Sequence, residues 1–199
     1  MHGLINRVIH RYILEKYGAA TWRRVARRAG VQPPRFEGLQ RSPDRVTRRL
    51  ICHLVRLSQQ EERRVLRDLG QFAVSHPAAA PYVQLLRFGG AGYAGFLGSL
   101  EDLPVRLQML LPGGEVPDFE VAQTDVGRFY LICRSNLSGF GSGLVGLLEG
   151  MAEIYETPAD IQHLARVEGR QTCDLLSVQL LAEQGRTTGM LAANCGAAV

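Results

Sequence analysis

Apolar residues recur at helical spacing through the first half of the chain. Leu4, Ile5, Val8, Ile9, Tyr12 and Ile13 form one stripe, which Gly18 ends. Thr21 is placed to cap a second helix over Trp22 to Arg28, and Gly30 stops it. Pro33-Pro34 keeps the chain extended. Ser42 or Asp44 can cap a third helix that turns Val46, Leu50, Ile51, Leu54 and Val55 inward. Ser58 with Glu61 reads as a capping box for a fourth, whose apolar side is Val65, Leu66, Leu69 and Phe72. A short helix over Pro81 to Arg87 and a loop at Gly89, Gly90 and Gly92 follow. A long helix is then expected from Tyr93 to Leu111, ended by Pro112-Gly113-Gly114.

Beyond Pro117 the period changes from helical to alternating. Phe119 to Gln123 and Arg128 to Cys133 read as strands joined by Thr124-Asp125-Val126-Gly127. A glycine-rich approach leads into a helix over Gly141 to Tyr155. Strands near Ile161 to Val167 and Cys173 to Leu181 flank a turn at Gly169. The pattern predicts an α+β fold: a helical N-terminal lobe (1–60), then a C-terminal lobe (61–181) with a four-stranded antiparallel sheet and one packed helix. Residues 182–199 read as a flexible tail.

The chain has 199 residues and 46% hydrophobic content, enough for a packed core rather than a disordered segment. It lacks a run of about 18 apolar residues and the features of a secretory signal, so a cytoplasmic location is expected. Cys52, Cys133, Cys173 and Cys195 are widely spaced, which argues against a structural zinc site and for reduced thiols. Charge is uneven: 16 basic and 5 acidic residues lie up to Arg67 (net +11), and 7 basic and 14 acidic from Asp68 onward (net −7). All basic residues but Lys16 are arginine. Without interleaved aromatics, this does not read as a nucleic-acid interface. No phosphate loop and no nucleophile–base grouping can be assembled, so an enzyme is not expected. Glu149, Glu153 and Glu156 read as a solvated helix face.

The opening from Met1 to Ile9, followed by Gly18, Trp22 and Ala29-Gly30-Val31, resembles the start of the H-NOX (haem–nitric oxide/oxygen binding) family. Phe96 to Leu103 resembles its proximal helix, Pro117-Asp118-Phe119 the loop and strand after it, and Gly139 with Gly143 to Gly150 the next helix. The resemblance spans residues 1 to about 181. It implies the H-NOX fold and a sensor that signals to a partner such as a histidine kinase or a cyclic-dinucleotide enzyme.

In that family a proximal-helix histidine binds the haem iron and a Tyr-x-Ser-x-Arg motif holds the propionates. Here the histidine position falls on Pro104, and the motif on Cys133, Ser135 and Leu137; Pro117 of the family pattern remains. Iron needs a lone-pair donor, which Pro104 lacks. A propionate needs a guanidinium fork, which Leu137 lacks. Cys133 cannot stand in for a phenol hydroxyl. Arg134 faces the pocket only if its strand slips register. A mid-helix Pro104 should also kink the helix, at a cost of roughly 3 kcal/mol.

The resemblance maps Ile5, Leu69, Phe72, Ala73, Val74, Leu100, Leu103, Gly143, Leu144, Val145 and Leu148 onto the pocket wall, with Ala73 and Gly143 opening space. Three readings follow. The first is a stand-alone sensor domain that does not bind haem in the usual way, acting without a ligand or holding a hydrophobic small molecule such as a fatty acid or hydrocarbon. The second is a haem sensor with an unconventional axial ligand, Cys133 or a histidine such as His53 or His76. The third is a pure protein-interaction module that uses the basic lobe.

Overall fold

The computed structural model describes residues 3–31, 43–87, 90–110 and 116–181. Helix α1 (Gly3–Ala29) contains both helices expected at the N-terminus. They join at Gly18, whose φ of 79° and ψ of 166° lie outside the helical region and require glycine. Thr21 lies inside the continuing helix rather than capping a new one. On the inner side, Ile9, Tyr12 and Ile13 before the kink and Trp22, Val25, Ala26 and Ala29 after it are buried.

Helix α2 (Asp44–Ser58) buries Thr47, Leu50, Ile51 and Leu54, and α3 (Glu62–Ser75) buries Val65, Leu66, Leu69 and Val74. Pro43 is the residue before α2, and Ser42 lies outside the described residues. At α3 the expected cap is not the one used. Glu61 precedes α3 without a side-chain cap, and Ser58 is the last residue of α2, its hydroxyl bonded to the Val55 carbonyl at 2.9 Å. A short turn leads into α4 (Ala80–Arg87). Pro33-Pro34, Gly89, Pro112-Gly113-Gly114 and the tail lie outside the described residues.

The long helix expected after Gly92 is three pieces: α5 (Gly92–Gly98), a 3-10 turn over Ser99–Asp102, and α6 (Leu103–Leu110). Proline explains the break. With no N–H at residue 104, the Leu100 carbonyl accepts instead from the Leu103 N–H, a 3-10 bond. Pro104 becomes the second residue of α6, in a first turn where an amide hydrogen needs no helical partner. The interior kink and its penalty are therefore replaced by a helix junction. Glu101 in that turn accepts the Val121 N–H at 2.8 Å and so satisfies a donor of the edge strand.

Strands β1 (Asp118–Asp125), β2 (Arg128–Ser135), β3 (Ala159–Glu168) and β4 (Thr172–Leu180) form one antiparallel sheet in the order β1-β2-β4-β3. Helix α7 (Phe140–Ile154) connects β2 to β3 and covers the face on which Phe129, Leu131, Cys133, Leu176 and Val178 are buried. The α+β architecture expected from the pattern is the one observed. Two apolar cores result. One lies between α5, α6, α7 and the sheet; the other lies among α1, α2 and α3 and includes Leu137 from the loop after β2.

Helices α3 and α7 run against each other at backbone distance. A Cβ on Gly70 would overlap the Gly143 carbonyl, and one on Gly146 would overlap the Arg67 carbonyl. Arg67 pairs with Glu149 through two guanidinium nitrogens, and Gln71 donates to Glu153 at 2.9 Å, along the same seam. Gly146→Ala therefore has no room and should cost about 3 kcal/mol in chemical denaturation. Gly98→Ala, at φ −60° with no atom within 4 Å of the new methyl, should stabilise by about 0.4–1 kcal/mol. An unchanged midpoint for Gly146→Ala would refute the close approach.

Candidate functional site

The positions singled out by the family resemblance lie on the 3-10/α6 junction, on β2 and on the loop after it. Pro104 is half-buried, while Leu100 and Leu103 beside it are buried in the C-terminal core. Cys133 is fully buried in the same core. Burial, aided by the nearby Asp174 carboxylate, pushes its thiol well above the usual range, so it is a neutral S–H at physiological pH.

Ser135 is buried, and its Oγ accepts the Leu137 N–H at 3.0 Å. Leu137 is buried in the N-terminal core, where Leu66 and Leu69 of α3 also lie. The next backbone carbonyl, that of Asn136, accepts from Arg48 of α2 at 3.2 Å. The segment carrying the last motif position thus ties the sheet to the helical lobe. Pro117, half-buried, directly precedes β1. Arg134 points to the opposite face, contacting Glu120 at 2.6 Å and Asp118 at 3.3 Å. Register is not slipped: Cys133 lies opposite Phe119 and Asp174.

The expected wall residues divide between the two cores. Leu100, Leu103, Leu144, Leu148, Val74 and Val145 belong to the C-terminal one; Ile5, Leu69 and Phe72 pack in the N-terminal one. Ala73 is half-buried on α3. Gly143 does not simply open space, because its carbonyl abuts Gly70 across the α3–α7 seam. Two of the histidines are occupied elsewhere. His76 Nε2 meets Glu15 Oε1 at 2.5 Å and its ring packs on Phe72; His10 packs on Trp22. His53 is half-buried on α2, and His2 lies outside the described residues.

One polar cluster was not anticipated. Asp174 on β4 is fully buried, and Arg166 Nε of β3 donates to its Oδ1 at 2.9 Å. Oδ2 accepts the Gly141 N–H at 3.2 Å, which places a carboxylate at the positive end of α7. His163 Nε2 lies 2.8 Å from Oδ1 but too obliquely for a hydrogen bond. The signal was readable: in Asp174-Leu175-Leu176-Ser177-Val178, alternation puts Asp174 on the same face as Leu176 and Val178.

Glu153 and Glu156 are exposed, as expected of a solvated face, and Glu149 is half-buried. With Asp68, Arg67 and Gln71 they line a surface groove of about 560 Å³ between α3, the end of α7 and the start of β3. Among the described residues, no three His, Cys, Asp or Glu side chains converge on a metal position, and no helix is long and apolar enough to cross a membrane.

Comparison with known proteins agrees with this architecture. Residues 2–163 match the family model described as haem-NO-binding. A soluble guanylate cyclase of Caenorhabditis elegans, gcy-31, is 27% identical over 176 residues, covering 84% of this chain and 25% of its own. Soluble guanylate cyclase 89Db of Drosophila melanogaster is 22% identical over 153 residues, 77% of this chain and 23% of its own. The chain thus spans about a quarter of the length of these relatives. Among solved structures, an H-NOX protein from S. oneidensis in the Fe(II)NO ligation state superposes with a TM-score of 0.79 at 15% identity, covering 91% of this chain and 99% of that one. A Cs H-NOX variant gives 0.79 at 15% identity, covering 90% and 96%. The order of elements and the match across most of the sequence lead to one conclusion: this chain belongs to the haem-NO-binding (H-NOX) family.

Proposed function

We propose that this chain is a sensor or regulatory domain of the H-NOX family that does not hold haem in the ordinary way, and that a hydrophobic small molecule takes the haem's place. The observation that carries this reading is the chemical state of the anchor positions. Pro104 has no electron pair to give iron. The Cys133 thiol is buried and protonated, the Ser135 hydroxyl is engaged with the Leu137 N–H, and Leu137 is packed in an apolar core. These residues do not fit a dianionic porphyrin. A propionate there would meet an aliphatic side chain where two charge-assisted hydrogen bonds are needed.

Leu100, Leu103, Leu144 and Leu148, which the resemblance assigns to the pocket wall, are apolar and buried, and an apolar space opened among them would not readily fill with water. A fatty acid or linear hydrocarbon suits it better than solvent. The domain passes its signal by contact with a partner, of the histidine-kinase or cyclic-dinucleotide-enzyme class that the family implies. The competing reading, haem on an unconventional ligand, is weakened at Cys133 by the cost of forming a buried thiolate. It is weakened at His76 by the Glu15 contact.

Adding haem to the pure protein should give no stoichiometric Soret band, and Pro104→His should raise haem affinity at least tenfold by restoring an imidazole. A full Soret band from the unaltered chain would end the haem-free reading. Native mass spectrometry of the protein as isolated should show an adduct of lipid-like mass that organic extraction removes; a ligand-free spectrum would end the small-molecule half.

The state of Cys133 is testable by itself. In native protein at pH 8, alkylation should label the exposed Cys52 and spare Cys133 until the chain unfolds. Because the folded thiol has the higher pKa, the unfolded chain ionises first as pH rises. Stability is therefore intact below the unfolded value of about 8.5 and falls above it, by up to about 1.4 kcal/mol per pH unit for this group. Cys133→Ala should remove that part of the alkaline slope. Rapid native labelling of Cys133 would instead favour a reactive thiolate.

A further inference from the structure

Helix α2 carries four arginines and a single carboxylate, Asp44 in its first turn. Arg45, Arg49 and Arg56, with Cys52 among them, recur at i, i+4, i+7 and i+11 and form one exposed stripe; the opposite side, with Leu50, Ile51 and Leu54, is buried. Arg27 and Arg28, exposed in the last turn of α1, extend the stripe: a Cβ on Gly30 would lie 3.4 Å from Arg49 Nη1. A face that is only solvated gains from alternating charge at i+4. Here like charges stack, which destabilises the helix by itself and calls for an anionic counterpart.

The same chain presents one. Of the four carboxylates in the groove between α3 and the end of α7, Glu149 is neutralised by Arg67, and Asp68 meets Lys16 at 3.3 Å. Glu153 receives only the neutral Gln71 amide. Glu156, exposed, lies just past the C-terminal end of α7, where the helix dipole adds negative potential. On the arginine side no large apolar residue of α1 or α2 is among the exposed ones, and Tyr12 and Trp22 are buried. Among the described residues, that surface has nothing to insert into a bilayer and no ring on which a base can stack. A carboxylate-bearing protein surface is the counterpart that remains.

We propose that the protein self-associates head to tail, the α2 arginine stripe of one copy docking on the Glu153–Glu156 groove of a second. The contact is heterologous, so it grows past two copies unless its geometry closes a ring. Sedimentation velocity at 50 mM salt should show average mass rising with concentration, with the association constant falling at least tenfold at 500 mM salt. A variant with Arg45→Glu, Arg49→Glu and Arg56→Glu should be monomeric, as should one with Glu153→Arg and Glu156→Arg. An equimolar mixture of the two should associate again, because each supplies the charge the other lost. Circular dichroism checks that both fold; Arg49→Glu and Glu156→Arg alone serve if either does not. A wild type that stays monomeric at low salt and high concentration overturns the proposal, as does a mixture that fails to associate. If that monomer instead binds random-sequence duplex DNA or anionic phospholipid vesicles through the stripe, the counterpart is phosphate and the proposal also falls.

Discussion

The backbone contact between α3 and α7 is the constraint on which the rest of this molecule depends. Helix α3 gives Val65, Leu66 and Leu69 to the N-terminal core and Val74 to the C-terminal one, while α7 lies over the sheet. Gly70 and Gly146 let the two axes approach until carbonyls fill the space a methyl would need. The two apolar cores are thereby joined through a close helix–helix seam rather than a linker. The end of β2 and the loop after it, which carry Ser135 and Leu137, lead directly into α7 and so are placed by that seam. Arg67–Glu149 and Gln71–Glu153 decorate the rim of the contact, but exposed pairs of that kind are worth at most about 1 kcal/mol each and cannot set the distance.

How much of this could be read in the sequence differs from element to element. Helix α2 is legible because its four inward residues follow a 3.6 period, and β2 because Phe129, Leu131 and Cys133 follow a period of two. The anchor positions come from the resemblance alone, and the residues it assigns to them, Pro104, Cys133, Ser135 and Leu137, can be judged by coordination chemistry. The pieces between Gly92 and Leu110 were not. Apolar periodicity runs across all three and says nothing about whether an N–H skips three residues or four; that choice is made by the missing donor of Pro104 together with the tie from Glu101 to β1. The cap of α3 was misread for a related reason. Ser58 and Glu61 fit a local template, but a hydroxyl already bonded to the Val55 carbonyl ends one helix rather than starting another.

The residues at the positions that the resemblance assigns to haem anchoring form a consistent set once their surroundings are considered. A site that grips an ionised carboxylate must keep desolvated cations facing inward. In this chain the inward positions of β2 near that place are the Cys133 thiol and the Ser135 hydroxyl, and the nearby cation, Arg134, faces outward to Glu120 and Asp118. The buried ionic group that remains, Asp174, is an anion already satisfied by Arg166 and by the Gly141 N–H. Placing a second carboxylate beside it would add like charge in a low-dielectric interior without a guanidinium to offset it. Leu137 goes further: from the loop after β2 it contributes apolar burial to the core of α1, α2 and α3.

That last point bears on how such a domain can signal. A ligand shifts a conformational equilibrium only by its differential affinity for two states. Under the proposed function the ligand is apolar and has no covalent bond to the protein, so it cannot pull on a single residue as a metal–ligand bond can. Its leverage is shape and buried area, exerted on elements that can move against each other. The α3–α7 seam is poorly suited to such movement, because interlocked carbonyls leave no alternative packing. The better candidates are the joints where regular structure already breaks: Gly18 in α1, outside the helical region, and the 3-10 turn before Pro104, which is fastened to the sheet through Glu101. Helices α1 and α6 are the elements that meet these joints, and of the two α1 ends beside the arginine stripe of α2.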